Sequence, residues 1–201
     1  MTDEGSSRER EVLKARRESL ERLRTKGVEP FALRFDPDTR AQDLHETHAS
    51  LGPEQLTDDH VAVAGRIVLA RRFGKLVFFT LRDRTGDIQL FCARGTMDAT
   101  SFELLDEVDL GDIVGARGPV MTTKKGELSI RVEQLVMLTK SLRPLPEKWH
   151  GLKDPDAQQR QRYLQLATDL GSRAALSRSR SPPTTRPSIW SSSSASRSSF
   201  T

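Results

Sequence analysis

The 201-residue sequence has few cysteines, few aromatic residues and no long apolar run, and these shortages exclude several classes of protein. Cys92 is the single cysteine, so an internal disulfide framework and a cysteine-only metal site are both excluded. No segment approaches the roughly 18 apolar residues of a membrane-spanning helix, and the first residues lack the apolar stretch of a signal peptide. We therefore expect a cytoplasmic protein with no membrane partner.

The formal net charge of +4 comes from the end of the chain. Five of the 32 basic residues follow Asp169, after which there is no acidic residue. The other 27 basic residues are matched by 28 acidic ones, so the rest of the chain is about neutral. Net charge therefore gives no argument that the folded part binds nucleic acid.

Residues 1–59 are expected to form an N-terminal helix and a connecting segment. The helix is predicted over residues 8–26, with a narrow apolar stripe made of Val12, Leu13, Leu20 and Leu23. The favoured interpretation is a solvated helix that packs this stripe on the next domain. The alternative is a helix that binds RNA through Lys14, Arg16, Arg17, Arg22 and Arg24. A second, short helix is predicted over residues 41–48, with Asp38 or Thr39 as its cap.

Residues 60–139 contain five predicted strands, with one helix between the third and the fourth. The strands are residues 61–69, 75–82, 87–92, 112–121 and 128–138. Gly65 predicts a bulge or sharp bend in the first strand. The helix is predicted over residues 100–110, where Thr100 and Glu103 match a capping box. This order is that of an OB fold, a five-stranded barrel that often binds single-stranded nucleic acid, so the predicted fold is mainly β.

The last 62 residues have a different composition. Residues 140–171 are predicted to be a linker with Pro144 and Pro146, followed by a helical piece around residues 158–166. Serine makes up 12 of the 30 residues from Ser172 to Thr201, and large apolar residues are scarce there. Such a segment cannot bury enough apolar surface to offset its ordering entropy, so we expect a disordered tail over residues 172–201.

Strand alternation separates an inner row of side chains from an outer one. The inner row is predicted to contain Val77, Phe79, Leu81, Ile88, Leu90, Cys92, Leu128, Ile130 and Val132. The outer face then carries Phe78, Arg82, Gln89, Glu127 and Arg131. An aromatic ring can stack on an unpaired base, and an amide or carboxylate can bond to its edge. The alternative is that Phe78 packs under the helix and that Gln89 is an ordinary polar surface residue.

No catalytic or metal-binding motif is found in the sequence. His45 and His48 are three residues apart, whereas a zinc-binding helix of the His-Glu-x-x-His type needs a spacing of four. The sequence has no phosphate-binding glycine loop and no nucleophile elbow. Cys92 falls on the inner row, which favours a packed core thiol over a nucleophile. We therefore predict no catalytic residue and no metal ligand.

Several segments resemble the OB domain of class II aminoacyl-tRNA synthetases of the lysine, aspartate and asparagine subgroup. They are Gly65-Arg66-Ile67, Gly74-Lys75, residues 78–83 and residues 86–90. The segments that favour the lysyl-tRNA synthetase family are residues 20–24 with Gly27 and Pro30-Phe31, residues 126–130, residues 140–146 and residues 148–152. Residues 160–164 resemble the entry to that family's catalytic domain. The resemblance covers roughly residues 8–167.

The resemblance implies a role for individual residues in reading an anticodon. It implies that Phe78 stacks on the middle anticodon base, that Gln89 bonds to the edge of that base, and that Glu127 reads a neighbouring base. The family has two adjacent arginines where this chain has an alanine and Arg71, and only Arg71 is expected to make that contact. Arg82 and Arg131 are expected to support RNA binding.

The resemblance also implies a partner and, for full-length members, a reaction. The partner is a lysine-accepting tRNA with a uridine-rich anticodon, and the reaction is attachment of lysine by a homodimer that uses ATP and Mg²⁺. The family's two ATP-binding motifs do not occur in these 201 residues. We therefore expect a truncated, inactive and monomeric tRNA-binding portion without a cofactor of its own, whose serine-rich end has arisen by frameshift or degeneration. The alternatives are a lysine–tRNA ligase and a general single-strand-binding OB protein.

Overall fold

The computed structural model describes residues 3–32 and 34–143, together with positions 162, 163, 166, 171 and 175. The elements in chain order are α1 (Asp3–Thr25), α2 (Ala41–Thr47), β1 (Leu56–Phe73), β2 (Leu76–Arg82), β3 (Asp87–Ala93), α3 (Ala99–Leu104), β4 (Ile113–Thr122), β5 (Leu128–Arg131) and β6 (Gln134–Thr139). A 3-10 turn, Leu105–Glu107, follows α3. Most of the predicted linker and the whole tail apart from position 175 lie outside the described residues. No helix in the described part is long and apolar enough to cross a membrane.

Five strands close into a ring, which confirms the predicted OB-type barrel. The sheet order is β1-β2-β3-β5-β4, and β4 pairs again with β1, while β6 adds to the other side of β4. Strands β3 and β5 are parallel, and the other pairs are antiparallel. The long β1 closes the ring because it pairs with β4 up to Arg66 and with β2 from Arg66 onward. It begins at Leu56, within the segment predicted as a connection.

Gly65 allows β1 to pass close to β2 where the two pairings overlap. A Cβ atom at this position would lie 2.5 Å from Leu81 Cδ2 and 2.6 Å from the backbone oxygen of Arg82. The break in the β1–β2 register lies between Ile67 and Leu69, so the bulge is at Val68, three residues beyond its predicted position. Gly65 is thus required for close backbone approach, which is a different constraint from a bulge.

The predicted fifth strand is divided in two, which corrects the prediction of one strand over residues 128–138. Strand β5 lies between β3 and β4, and the amide of Val132 still donates to the Phe91 carbonyl of β3 at 2.9 Å. The next amide, of Glu133, donates to the Arg117 carbonyl of β4 at 2.9 Å, and β6 then pairs with β4 alone. The break therefore marks the point where the chain leaves β3.

The caps of α2 and α3 also differ from the predictions. Helix α3 begins at Ala99, and its cap is Asp98, whose carboxylate accepts from the amide of Ser101 at 2.8 Å. The Thr100–Glu103 capping box was therefore wrong. Helix α2 has no side-chain cap from its own N-terminal flank. Its first amides donate instead to Asp83 at 2.8 Å and to Thr85 at 3.2 Å, both in the β2–β3 turn.

The inner row predicted from strand alternation forms the barrel core, except that Leu128 is only partly buried and packs against it. Phe79, Leu81, Leu90 and Ile130 are at most 1% exposed. Cys92 is fully buried, and burial raises the pKa of its thiol to about 12. A thiol held neutral in this way is a poor nucleophile, as expected for a packed core residue.

Helix α1 packs on the barrel, as the favoured interpretation predicts. Leu20 and Leu23 are 7% and 0% exposed. Arg16 lies on the same buried face, and its guanidinium donates to three backbone carbonyls at 2.8–3.0 Å, those of Leu110, Ser141 and Arg143. The alternative of an RNA-binding helix was therefore wrong for Arg16, because the guanidinium donors of Arg16 already bind backbone carbonyls of the protein.

Glu107 and Lys140 form a buried polar cluster beneath α1. The Glu107 carboxylate accepts from Ser19 at 2.8 Å and from Arg22 at 3.0 Å. Burial alone would raise the pKa of Glu107, but these hydrogen bonds outweigh it and lower that pKa. The fully buried Lys140 ammonium donates to the Glu107 carbonyl, to Asp109 at 2.7 Å and to Asp112 at 2.9 Å. The cluster thus joins α1, the 3-10 turn and the segment that leaves β6.

We expect Gly65→Ala to destabilise the barrel. The added methyl group would meet the backbone of Arg82, which cannot move without breaking the β1–β2 pairing. Overpacking of this kind costs about 1–3 kcal/mol, to be measured as the free energy of unfolding in urea. Gly95→Ala is the matched control, because a Cβ atom there meets nothing within 4 Å. Equal stability of the two variants would contradict the close-approach argument.

Replacing Lys140 should have a larger effect on stability. Lys140→Met leaves the carboxylate of Asp112, which is 0% exposed, without its cation. Breaking a buried pair from one side costs about 3–5 kcal/mol. Lys14→Met removes a lysine from an exposed pair with Glu18, whose side chains are 80% and 56% exposed, and should cost less than about 1 kcal/mol. Urea denaturation of both variants tests this, and a small loss for Lys140→Met would show that Asp112 finds another partner.

Candidate nucleic-acid interface

An open groove of about 620 Å³ lies on the outer face of the barrel. Strands β1, β2, β3 and β5 supply its floor, and the turn between β4 and β5 supplies one rim. Five of the six residues predicted for an RNA site line this groove, namely Arg71, Phe78, Gln89, Glu127 and Arg131. They come from four separate parts of the sequence, and the pairing of β1, β2, β3 and β5 as neighbours in the sheet brings them together.

The floor is a cross-strand row with aromatic residues in the middle and arginines at the ends. Arg71 pairs with Phe78, Phe78 with Phe91, and Phe91 with Arg131. The rings of Phe78 and Phe91 meet edge to face, with centroids 5.5 Å apart. Phe73, 63% exposed, makes a similar contact with Phe78 at 6.1 Å. This is an apolar surface of the kind on which bases stack, and Phe78 is part of it and does not pack under α3.

Gln89 lies in the groove but is more buried than predicted. It is only 5% exposed, and its amide is held at both ends. The oxygen accepts from Arg71 Nη2 at 3.1 Å, and the nitrogen donates to Ser129 Oγ at 2.9 Å. Ser129, which pairs with Gln89 across β3 and β5, is 0% exposed. The interpretation of Gln89 as an ordinary surface residue was therefore wrong.

Charge in the groove is mixed, with an excess of cations. The basic lining residues are Arg71, Lys124, Lys125 and Arg131, and the acidic ones are Glu54 and Glu127. The Glu127 carboxylate lies 4.0 Å from Arg71 Nη2, and its side chain is 55% exposed. The groove can therefore attract a phosphate chain and still present a carboxylate acceptor to a base.

Arg82 lies outside the groove. Its guanidinium binds Asp87 through two hydrogen bonds of 2.5 and 2.7 Å, and hydrogen bonding to this carboxylate raises the pKa of Arg82. Its side chain is 12% exposed. The structure thus gives Arg82 a partner within the β2–β3 hairpin.

Several groove residues were not predicted as site residues, and four of these have aromatic or basic side chains, namely Phe73, Phe91, Lys124 and Lys125. Phe91 could have been found, because it alternates with Gln89 on the same outer row of β3. The two lysines stand in a turn, where side-chain direction does not follow a period. Within residues 3–32 and 34–143, no cluster of histidine, cysteine and carboxylate side chains suits a metal ion.

Comparison with known proteins gives a family match for the barrel. Residues 61–138 match the tRNA anticodon family, which is described as an OB-fold nucleic acid binding domain. The chain is 45% identical to a lysine–tRNA ligase of Synechococcus sp. (strain CC9311) over 168 residues, 84% of this chain and 34% of the relative. It is 44% identical to a chloroplastic/mitochondrial lysine–tRNA ligase of Arabidopsis thaliana over 79% of this chain and 27% of the relative. The chain thus spans about a third of the length of the curated relatives it matches.

Adjacent phenylalanines on β2 provide a test of which face is the groove. Phe79 is 1% exposed in the core, so Phe79→Ala should cost about 3–5 kcal/mol. Phe78 lies half-buried on the groove floor, so Phe78→Ala should cost clearly less. Urea denaturation of both variants measures the difference. A Phe78→Ala protein as unstable as Phe79→Ala would show that Phe78 is a core residue.

Proposed function

This chain contains the anticodon-binding OB domain of the lysine–tRNA ligase family at residues 61–138, and from that premise we propose that its groove reads the anticodon of a lysine-accepting tRNA. The observation that supports this most strongly is the cross-strand row itself. Phe78 and Phe91 offer an apolar floor between Arg71 and Arg131, beside the buried amide of Gln89. Unpaired bases bind to such a surface by stacking, while a few polar groups read their edges.

The residues of the groove divide the work between affinity and identity. In this proposal Phe78 stacks on the middle anticodon base, and Gln89 bonds to the edge of that base. Glu127, on the rim, reads a neighbouring base through its exposed carboxylate. Arg131 supports the bound strand, and Arg71 holds Gln89 while its positive charge attracts the phosphates. Arg82, bound to Asp87 outside the groove, has no contact in this proposal.

We propose that these 201 residues bind RNA in the cytoplasm and do not catalyse the ligation of lysine to tRNA. Lysine–tRNA ligation needs ATP held by charged groups of an active site, and no such motif is found in the sequence. We propose that, in the relatives, ligation depends on the two thirds of their length that this chain does not span. A general single-strand-binding role is the second candidate, favoured by the aromatic floor, because stacking alone distinguishes bases weakly.

We expect the full chain to bind a uridine-rich lysine anticodon stem-loop more tightly than stem-loops with unrelated anticodons. Phe78→Ala should weaken binding roughly 5- to 150-fold, because a stacked base contributes about 1–3 kcal/mol. Gln89→Ala should reduce the preference for uridine more than it reduces affinity, because edge contacts carry base identity. Glu127→Ala should alter preference at the neighbouring base. Fluorescence anisotropy with labelled stem-loops at fixed salt measures all of these.

The control is Lys14→Met, an exposed change on α1, which should leave both affinity and preference unchanged. Equal affinity for all stem-loops by the unaltered chain would favour the general single-strand-binding role and contradict the proposed lysine specificity. No measurable binding of any stem-loop by the folded chain would contradict both candidates.

A further inference from the structure

The orientation of the Gln89 amide follows from the chemistry of its two neighbours. Arg71 donates to one end at 3.1 Å, and a guanidinium has no acceptor, so that end must be the oxygen. Ser129 Oγ lies 2.9 Å from the other end and itself donates to the Glu127 carbonyl at 3.1 Å. The hydroxyl hydrogen is thereby occupied, so Ser129 can only accept from Gln89. The end near Ser129 must therefore be the amide nitrogen.

The barrel determines the positions of both neighbours, Ser129 and Arg71. Ser129 pairs with Gln89 across the parallel β3–β5 ladder and is 0% exposed. Arg71 stands on β1, two strands away, and its position is limited by Gln89 at 3.1 Å and Glu127 at 4.0 Å. The buried amide therefore cannot turn over without losing both hydrogen bonds.

A fixed amide presents a fixed order of hydrogen-bonding groups to the groove. Arg71 occupies one lone pair of the amide oxygen, and Ser129 accepts one hydrogen of the amide nitrogen. One N–H hydrogen and one oxygen lone pair are left for a ligand. Positions 4 and 3 of uracil are an acceptor and a donor, whereas those of cytosine are a donor and an acceptor. An amide that can turn over accepts either pyrimidine at one ring position. A fixed amide accepts only one of them.

We propose that Arg71 and Ser129 are positioning residues that fix the orientation of the Gln89 amide, and that this orientation makes the groove distinguish uridine from cytidine. The inference rests on the proposed function, which supplies the uridine ligand and the stacking that fixes the ring position. It assigns Ser129, which does not line the groove, a part in base selection. It also assigns Arg71 a role through Gln89 in addition to its charge.

The test is the ratio of affinities for two lysine anticodon stem-loops that differ only by uridine or cytidine at the middle position. A good two-bond contact distinguishes bases by roughly 5- to 150-fold. Ser129→Ala and Arg71→Met should each lower the ratio, and the double variant should bring it near 1, as Gln89→Ala does. Ser129→Thr keeps the hydroxyl and should restore most of the ratio. Thermal denaturation accompanies each variant, and Arg71, whose side chain is 47% exposed, offers a change that spares the core.

The outcomes separate the two proposals. If the unaltered chain binds neither stem-loop, the proposed function fails. If it prefers uridine and Gln89→Ala abolishes that preference, while folded Ser129→Ala, Arg71→Met and the double variant keep it, the proposed function stands and the positioning inference is overturned. A loss of affinity for both stem-loops by the same factor would also overturn it, because a general structural role would not change the ratio.

Discussion

The pairing of β1 with two different strands is the constraint on which the rest of the structure depends. Without the change of partner at Arg66 the ring would stay open, and β1 would not lie beside both β2 and β4. The change is possible because Gly65 lacks the Cβ atom that would meet the Arg82 backbone at 2.6 Å. Beyond Arg66, the pairing of β1 with β2 then places Arg71 at one end of the aromatic row and next to Gln89. The groove is thus a consequence of a backbone contact several residues away.

A second constraint fixes the ends of the described domain. Arg16 binds the Leu110 carbonyl, which precedes β4, and the Ser141 carbonyl, which follows β6. The Lys140 ammonium binds Asp109 and Asp112. Removing two charges from water offsets most of what a buried ion pair gains, so such a pair adds little net stability. Its geometric demand is strict, however, because every donor needs its acceptor at the right distance. The cluster therefore specifies where α1 sits and how the chain leaves β6 more than it stabilises the fold.

Features that repeat along one strand can be predicted from the sequence, whereas features that depend on contacts between two strands cannot. Alternation identified the buried Phe79 and Leu90, and it put Phe78 and Gln89 on the outer row, because side-chain direction along a strand has a period of two. It could not show that Gln89 would be covered, since the covering residue is on β1. The cap prediction for α2 failed for the same reason, because α2 is capped from the β2–β3 turn. The partner change that divides β5 from β6 also has no local pattern.

In the proposed function, the residues that supply affinity and those that supply base identity lie on different kinds of structure. The lysines at residues 124 and 125 stand in the β4–β5 turn, where they can follow a flexible phosphate chain. Base recognition needs side-chain atoms to be positioned with an accuracy much finer than the length of a hydrogen bond. Rigid strands supply that accuracy better than turns. The amide of Gln89 accordingly lies on a central strand, is 5% exposed and is held from both sides. The charge of the chain apart from its last residues is about neutral, so attraction of RNA by net charge is weak. In the proposed function, the arrangement of groups in the groove therefore supplies the selectivity.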